Sequence, residues 1–289
     1  MTELLAAILS TGAKYLVLGL AFSMVYFATK TYNLILGASF VVGALAVFGV
    51  STFLNGPSPA NLVAAILISA AAGGAMLALP ERFLLRFLTI QRADGLLTLL
   101  ATFAVYLIVE NAAQIGLRSQ IVYYGWLPVS VAQRYMGLAF THVQLIMILF
   151  AAASIIMWEA FWRSAAGLRA RMVGDDYVLA VIVGVNADKT ISQVSLIAGA
   201  LMGVAGFVAG ATSGVDATMG FPALFPAIVV AIVAARPRAF ALITAAISLA
   251  AIETVVVATV GQQWQSTFAY AILALALIAD RLRRKSQQN

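Results

Sequence analysis

The chain has 289 residues, of which 63% are hydrophobic and only 10% are charged. Soluble domains are about 45–50% apolar and about 25% charged, so a soluble core cannot absorb this excess of apolar residues. The composition therefore excludes a soluble globular protein and predicts an all-α polytopic membrane protein. Transmembrane β-strands alternate between apolar and polar residues, whereas the apolar runs of this chain are continuous.

The formal net charge of +6 and the absence of cysteine restrict the partners further. In a membrane protein an excess of Lys and Arg is typical of the cytoplasmic loops, so we do not expect nucleic acid as a partner. Without cysteine there is no disulfide and no thiolate ligand, and we predict no metal site. The first residues carry an acid at Glu3 and no basic cluster, which favours the start of a first span over a cleaved signal peptide.

Nine apolar segments follow one another along the chain. They cover residues 10–28, 33–54, 60–79, 94–116, 137–158, 190–211, 222–235, 239–260 and 264–280. Most of them reach the ~20 residues that cross a ~30 Å hydrocarbon layer, so we predict about nine transmembrane helices. The seventh is short, which leaves open a tilted span or a broken one. Residues 80–88 are amphipathic and predict either a helix along the inner membrane surface or a plain connecting loop.

The positions of the basic residues predict the orientation of these spans. With the N-terminus outside, all Lys and Arg except Lys14, Arg118 and Arg134 fall in inner connections or in the C-terminal tail. Because basic residues collect on the cytoplasmic side, we predict an outside N-terminus and a cytoplasmic C-terminus. The basic tail at residues 281–289 is expected to anchor the last helix at the anionic inner leaflet.

The longest strongly polar interval is an inner loop at about residues 159–189. Its charged and turn-forming residues are Arg169, Arg171, Asp175, Asp176, Gly184 and Asn186. The loop leads into an apolar helix with Gly199, Gly203 and Gly206 on one side, a spacing that lets helix backbones approach closely. A polar segment next to a glycine-lined span is where we expect a partner that drives movement.

The sequence contains few of the residues and motifs that enzymatic catalysis requires. His142 is the only histidine and falls within an apolar segment, where a helix–helix hydrogen bond is the commoner role. None of the metalloprotease, serine hydrolase or P-loop motifs occurs, so we predict a protein that is not an enzyme and does not itself hydrolyse ATP.

Three polar residues within or at the ends of the spans are candidates for a role in transport. Glu110 and Glu253 are acids inside predicted spans, where an ionisable side chain is costly and usually functional. Each fits a structural hydrogen-bond anchor, and each also fits coupling to an ion. Asn33 opens the second span and is followed by Gly37. It either caps the helix or lies at a break that faces a solute path.

Three groups of segments carry a resemblance to one family: residues 19–26 with 32–37, residues 81–86 with 102–111, and residues 175–206. In order and spacing they are similar to the permease subunits of branched-chain amino acid ABC importers of the leucine/isoleucine/valine type. The resemblance covers about residues 12–210. Leu36 stands where that family usually has His, and residues 234–238 stand where it tends to carry a glycine-rich segment. The chain therefore resembles a member that diverges in its C-terminal third.

The resemblance implies one permease domain over residues 1–289 in a bacterial inner membrane. Its implied partners are cytoplasmic ATPases that dock on the loop at 159–189, a second homologous permease, a periplasmic solute-binding protein and membrane lipid. No cofactor is implied for this chain, because the partner subunits would hydrolyse the ATP. The solute implied is a branched-chain or other apolar amino acid, with amides or urea as alternatives.

The implied solute path runs between helices that carry small residues. Its expected residues are Asn33, Gly37, Gly199, Gly203 and Gly206. Two other functions stay open on the sequence alone. One is an ion-coupled secondary transporter that uses Glu110 or Glu253, and the other is a membrane scaffold subunit that transports nothing.

Overall fold

The computed structural model describes residues 2–54, 56–90, 95–127, 133–135, 138–234, 238–261 and 271. The α-helices are α1 (Thr2–Thr29), α2 (Ile35–Gly49), α3 (Pro59–Pro80), α4 (Arg86–Ile90), α5 (Gly95–Leu117), α6 (His142–Arg163), α7 (Ala165–Asp175), α8 (Tyr177–Ile182), α9 (Ala187–Ser213), α10 (Gly220–Ala234) and α11 (Ala239–Val260). Short 3-10 turns occupy Ser51–Phe53 and Ala217–Met219, and a π-helical segment occupies Glu81–Leu85. Two short strands, β1 (Gln133–Tyr135) and β2 (Leu138–Phe140), form an antiparallel hairpin.

Eight helical segments among the described residues are long and apolar enough to cross a membrane. They are Leu4–Thr29, Ile35–Phe53, Pro59–Leu88, Gly95–Leu117, His142–Arg163, Ala187–Ser213, Ala217–Ala234 and Ala239–Thr259. These segments coincide with the first eight predicted spans, including the short seventh. The prediction of a polytopic helical membrane protein is thus confirmed. The ninth predicted span, 264–280, and the basic tail, 281–289, lie outside the described residues.

The fifth span begins later than the predicted residue 137. The strand β2 ends at Phe140, and α6 begins at His142 behind a capping box. The Gln144 backbone N–H donates to Thr141 Oγ1 at 3.2 Å, while the Thr141 N–H donates to Gln144 Oε1 at 2.9 Å. This reciprocal cap fixes the helix start. His142 is therefore the first residue of this span, and its side chain is exposed.

The third span runs further than predicted. Pro80 was expected to separate the span from a surface helix or loop, but α3 passes into the π-helical segment Glu81–Leu85 and then into α4. Proline lacks a backbone N–H and crowds the preceding turn, which a locally widened helix can accommodate. As a result Glu81 lies inside the bundle with 8% of its surface exposed.

Close backbone contacts join α9 to α2 and α3. A Cβ added to Gly206 would lie 1.9 Å from the carbonyl oxygen of Phe40, and one added to Gly203 would lie 2.1 Å from that of Ser69. Gly43 of α2 and Gly73 of α3 face the same α9 backbone at similar distances. We call these contacts the glycine seam. It brings three helices close enough for direct backbone contact, as small residues do in membranes.

The two ends of the bundle differ. At one end α6 continues into α7, which packs on the last turn of α1, because Gly174 approaches the Phe27 carbonyl oxygen closely. We call this the α7–α8 end. At the other, the hairpin end, a bridge joins Val122 to Val215, and the Tyr124 hydroxyl donates to the Ala44 carbonyl oxygen at 3.0 Å.

Candidate functional site

A buried amide–carboxyl pair lies in the half of the bundle nearer the α7–α8 end. Asn33, in the turn between α1 and α2, is 1% exposed, and its Nδ2 donates to Glu81 Oε2 at 3.2 Å. Its Oδ1 accepts a hydrogen bond from the Ile35 backbone N–H at 3.0 Å. Asn33 thus makes the helix-start contact considered from the sequence. It also ties this turn to the π-helical segment after α3.

Glu81 also lines a cleft of about 450 Å³. The cleft lies between the π-helical segment, α4, α8 and the start of α9. Its lining is formed by Glu81, Arg82, Arg86, Tyr177, Asn186, Asp188, Lys189, Ile191, Ser192 and Gln193. Eight of these ten side chains are ionisable or carry an amide, so this cleft is polar at the end of an otherwise apolar bundle.

One ion pair joins two walls of this cleft. Arg86 Nε lies 2.9 Å from Asp188 Oδ2, which connects α4 to the first turn of α9. Both side chains are more than a third exposed, so water screens the pair, and it contributes about 0.2–1 kcal/mol at most. Burial and the nearby charge of Asp188 raise the pKa of Tyr177, so its phenol stays neutral at pH 7. The ion pair therefore matters chiefly as a link between two elements.

The predicted polar loop at 159–189 is largely helical. It contains the end of α6, the whole of α7 and α8, and the start of α9. Asp176 Oδ1 accepts the Leu179 N–H at 2.9 Å and caps α8, while Asn186 Oδ1 accepts the Lys189 N–H at 3.0 Å and caps α9. Gly184 takes a φ of +91° in the turn between these helices, a conformation that suits glycine.

The remaining predicted loop residues lie on or at the end of α7. The Arg171 guanidinium lies 5.3 Å from the Trp162 ring centroid and donates to the Trp162 carbonyl oxygen at 3.3 Å, which fixes α7 on α6. Arg169 donates to the Ala165 carbonyl oxygen at 3.2 Å within its own helix and remains exposed. Asp175 is exposed at the last residue of α7.

The short helix α8 presents apolar side chains to its surroundings. Val178 is 65% exposed, Leu179 57% and Ile182 74%, whereas Ala180 is 1% exposed and faces the bundle. With only six residues, α8 is too short to span a membrane. An exposed apolar patch with a polar surround marks a surface that another molecule covers. We call these exposed side chains the α8 patch.

The glycines predicted for the solute path lie at helix contacts. Gly199, Gly203 and Gly206 are buried in the glycine seam. A Cβ on Gly37 would lie 3.0 Å from Leu224 and 3.1 Å from the Gly220 carbonyl oxygen, so α2 meets α10 there. Asn33 alone among the five predicted path residues reaches the cleft, and it does so through Glu81.

The two predicted buried acids differ in their surroundings. Glu253 on α11 is 7% exposed, and the Tyr15 hydroxyl of α1 donates to its carboxylate. Glu110 on α5 is only partly buried, and Gln114 Nε2 donates to its Oε1 at 3.3 Å. No hydrogen bond between the two acids is found in the described residues. Nor does that part of the chain bring three His, Asp or Glu side chains together as a metal would require.

A family model described as the permease component of branched-chain amino acid transport systems matches residues 4–277. The chain belongs to this permease family. The resemblance predicted from the sequence is thereby confirmed, and it extends through the C-terminal third. Among curated proteins and among solved structures, no match to the chain is found. The permease is a multi-pass transport component of the membrane.

Two features of this permease were not predicted from the sequence. Glu81 looked like one charge of a surface segment, and only its contact with Asn33, 48 residues away, reveals its burial. The α8 patch was not predicted, because the charged residues on either side of it mark the whole segment as polar. A signal was present: the apolar run from Tyr177 to Val183 stands between Asp176 and Gly184, two residues typical of helix boundaries. Leu36, the departure from the family motif, is fully buried in the core.

Proposed function

We propose that this chain is the membrane-spanning permease subunit of an ABC importer in a bacterial inner membrane. It would work with cytoplasmic ATPases, a second homologous permease and a periplasmic solute-binding protein. The α8 patch supports this proposal most directly. It is an apolar surface on a capped helix that lies outside the membrane-spanning segments, as a docking element for a soluble ATPase must.

The distribution of charge supports a cytoplasmic location for the α7–α8 end. Exposed basic side chains concentrate there: Lys30, Arg82, Arg86, Arg163, Arg169, Arg171 and Lys189. Basic residues favour the cytoplasmic face of membrane proteins. In this orientation the N-terminus lies outside, and the cleft opens towards the cytoplasm.

We infer a route by which ATPase movement reaches the spans. A force on α8 passes to the first turn of α9, where Asp188 holds Arg86 of α4. From there the π-helical segment carries Glu81, which holds Asn33 between α1 and α2. The solute path opens where α9 moves relative to α2 and α3. Gly203 and Gly206 would permit such sliding, because the atoms that face them across the glycine seam are backbone atoms. Gly199 continues the same face of α9, and Gly37 allows close approach between α2 and α10.

The proposed solute is a branched-chain or other small apolar amino acid, or a related amide or urea. ATP binds and is hydrolysed on the partner subunits, and its differential affinity for their open and closed states drives the alternation of the path. The chain itself contributes no catalytic residue and needs no cofactor.

Purification of the tagged permease from its native membrane tests this proposal. We expect a P-loop ATPase and a second permease to copurify, identified by mass spectrometry. Ile182→Asp places a charge in the α8 patch and should reduce ATPase recovery at least tenfold. The matched control is Ile121→Asp, an exposed isoleucine at the hairpin end, which should leave recovery unchanged. A permease that purifies without any ATPase would contradict the proposal.

An ion-coupled secondary transporter is the second candidate, favoured by the buried Glu253 and its bond to Tyr15. This function predicts solute uptake by the purified chain alone in liposomes, driven by an ion gradient and abolished by Glu253→Gln. Glu110, being partly exposed, is the weaker choice for such coupling. Uptake that requires ATP and the partner subunits would exclude this candidate.

A further inference from the structure

A second polar pocket lies between α1, α6 and α9 in the hairpin half of the bundle. Its volume is about 160 Å³. The polar lining consists of Ser10, Thr11, Lys14, Gln144 and Thr212, and Met147 forms an apolar wall together with small residues of α9. The pocket is separate from the cytoplasmic cleft and shares no lining residue with it.

Lys14 is the only charged side chain of this lining. It lies 12 residues from the start of α1 and 15 from its end, or about 18 and 22 Å along the helix axis. That position is well within the hydrocarbon layer, where a lysine is costly and usually serves substrate or ion movement. Among the described residues, no carboxylate comes within 4.0 Å of its ammonium group.

Two neighbours of Lys14 reduce the cost of this charge without occupying the pocket. The ammonium lies 5.4 Å from the centroid of the Tyr15 ring. Glu253 accepts the Tyr15 hydroxyl with its carboxylate and is not part of the pocket lining. The polar groups that line the pocket with Lys14 are therefore hydroxyls and an amide.

We propose that this pocket is a solute subsite on the outer half of the transport path and that it takes a small carboxylate. The carboxylate would bind the Lys14 ammonium and accept hydrogen bonds from Ser10, Thr11 or Gln144. A short apolar tail would lie against Met147 and α9. The pocket has the volume of about five water molecules, which suits a small organic acid. As part of the path, the subsite rests on the proposed transport function.

The chemistry of the pocket lining favours carboxylates among the solutes that we consider for this permease, which also include neutral amides and urea. A carboxylate gains a charge-assisted bond at Lys14 that a neutral amide or urea does not. The pocket offers no acid, so it does not select for an ammonium group. Carboxylate recognition at Lys14 thus separates amino acids and simple carboxylates from the neutral solutes.

Calorimetric titration with a matched pair of probes tests the subsite. The permease complex, in nanodiscs of zwitterionic lipid, is titrated with isobutyrate and with isobutyramide, which differ only in the charged group. We expect isobutyrate to bind at least tenfold more tightly. Lys14→Gln should abolish the preference, and Lys14→Arg should keep it. The control Lys30→Gln removes an exposed lysine and should change nothing. Equal binding of the two probes, or a preference that survives Lys14→Gln, would overturn the proposal.

Two further variants separate the pocket from a structural role of Lys14. Ala209→Leu fills the pocket and leaves the charge, so both probes should lose affinity. The double variant Lys14→Gln with Glu253→Gln removes the Glu253 carboxylate together with the Lys14 ammonium group, so that no buried acid remains without a nearby cation. If the preference for isobutyrate returned in this double variant, Lys14 would be only a structural counter-charge, and the subsite would be refuted.

The lipid composition distinguishes a solute from a lipid headgroup as the source of the anion. In nanodiscs of phosphatidylglycerol the affinity for isobutyrate should stay within threefold of its value in zwitterionic lipid. A tenfold loss would mean that an anionic headgroup occupies the pocket, which contradicts a solute subsite.

Copurification distinguishes failure of the subsite proposal from failure of the importer proposal. Lys14→Gln should still copurify with the ATPase, because Lys14 is far from the α8 patch. Copurification without probe preference refutes the subsite alone. Probe preference without any ATPase refutes the importer alone.

Discussion

At the scale of single residues, the contact between Asn33 and Glu81 links two distant parts of the chain. Glu81 is a carboxyl at 8% exposure with one neutral donor at 3.2 Å. A buried polar group without a partner costs about 1–3 kcal/mol, so each residue of the pair depends on the other. The pair therefore keeps the turn after α1 attached to the segment after α3.

Glu81→Ala should lower the free energy of unfolding by about 1–3 kcal/mol, since Asn33 Nδ2 then lacks its acceptor. Glu81→Gln keeps an acceptor oxygen and should cost clearly less. Thermal unfolding of the two purified variants in detergent, followed by circular dichroism, measures the difference. Identical unfolding midpoints for the two variants would show that the hydrogen bond contributes nothing.

At the scale of helices, the glycine seam determines how α9 packs. A methyl group at Gly206 would meet the Phe40 carbonyl oxygen at 1.9 Å, a backbone atom that cannot rotate away. Separation of the helices is then the only relief. The seam therefore contributes to the stability of the bundle.

Gly206→Ala should destabilise the permease by about 1–3 kcal/mol, because overpacking forces the helices apart. Gly116→Ala in α5 is the matched control. Nothing lies within 4 Å of the added methyl group there, and alanine favours a helix by about 1 kcal/mol over glycine. The two variants should shift the thermal midpoint in opposite directions. A Gly206→Ala variant as stable as the parent would mean that the seam is looser than described.

The helices themselves were largely predicted from the sequence, whereas some of their ends were not. Continuous apolar runs long enough for the membrane gave the first eight spans. The start of α6 depends on the capping box of Thr141 and Gln144, a local signal that could have been read from the sequence. The continuation of the third span beyond Pro80 depends on a π-helical segment, which no residue pattern indicates. Side-chain contacts between distant segments, such as Asn33 with Glu81, follow only from the packing.

At the scale of the whole molecule, the described residues form a polar cleft in one half of an apolar bundle and a polar pocket in the other half. The cleft at the α7–α8 end contains the Arg86–Asp188 pair and lies beside the α8 patch. The pocket at Lys14 lies in the opposite half. Between them the glycine seam closes the bundle. This arrangement suits a transport path that is closed in the middle and opens alternately to each side, as we propose for the importer.

Several of the predicted functional residues lie in the α7–α8 segment, where they have structural contacts. Asp176, Asn186 and Arg171 shape the α7–α8 segment through caps and packing. The α8 patch between them is the surface that we propose for a partner. The sequence predicted that a partner acts on this loop, and the groups available for contact depend on which face of α8 the bundle covers.

Cross-linking from the α8 patch tests the central claim most directly. The chain contains no cysteine, so Ile182→Cys introduces a unique attachment site for a photoactivatable cross-linker. In native membranes we expect position 182 to cross-link to a P-loop ATPase, identified by mass spectrometry, and the control Ile121→Cys not to do so. An ATPase cross-link from position 121, or none from position 182 while the ATPase copurifies, would contradict docking at α8.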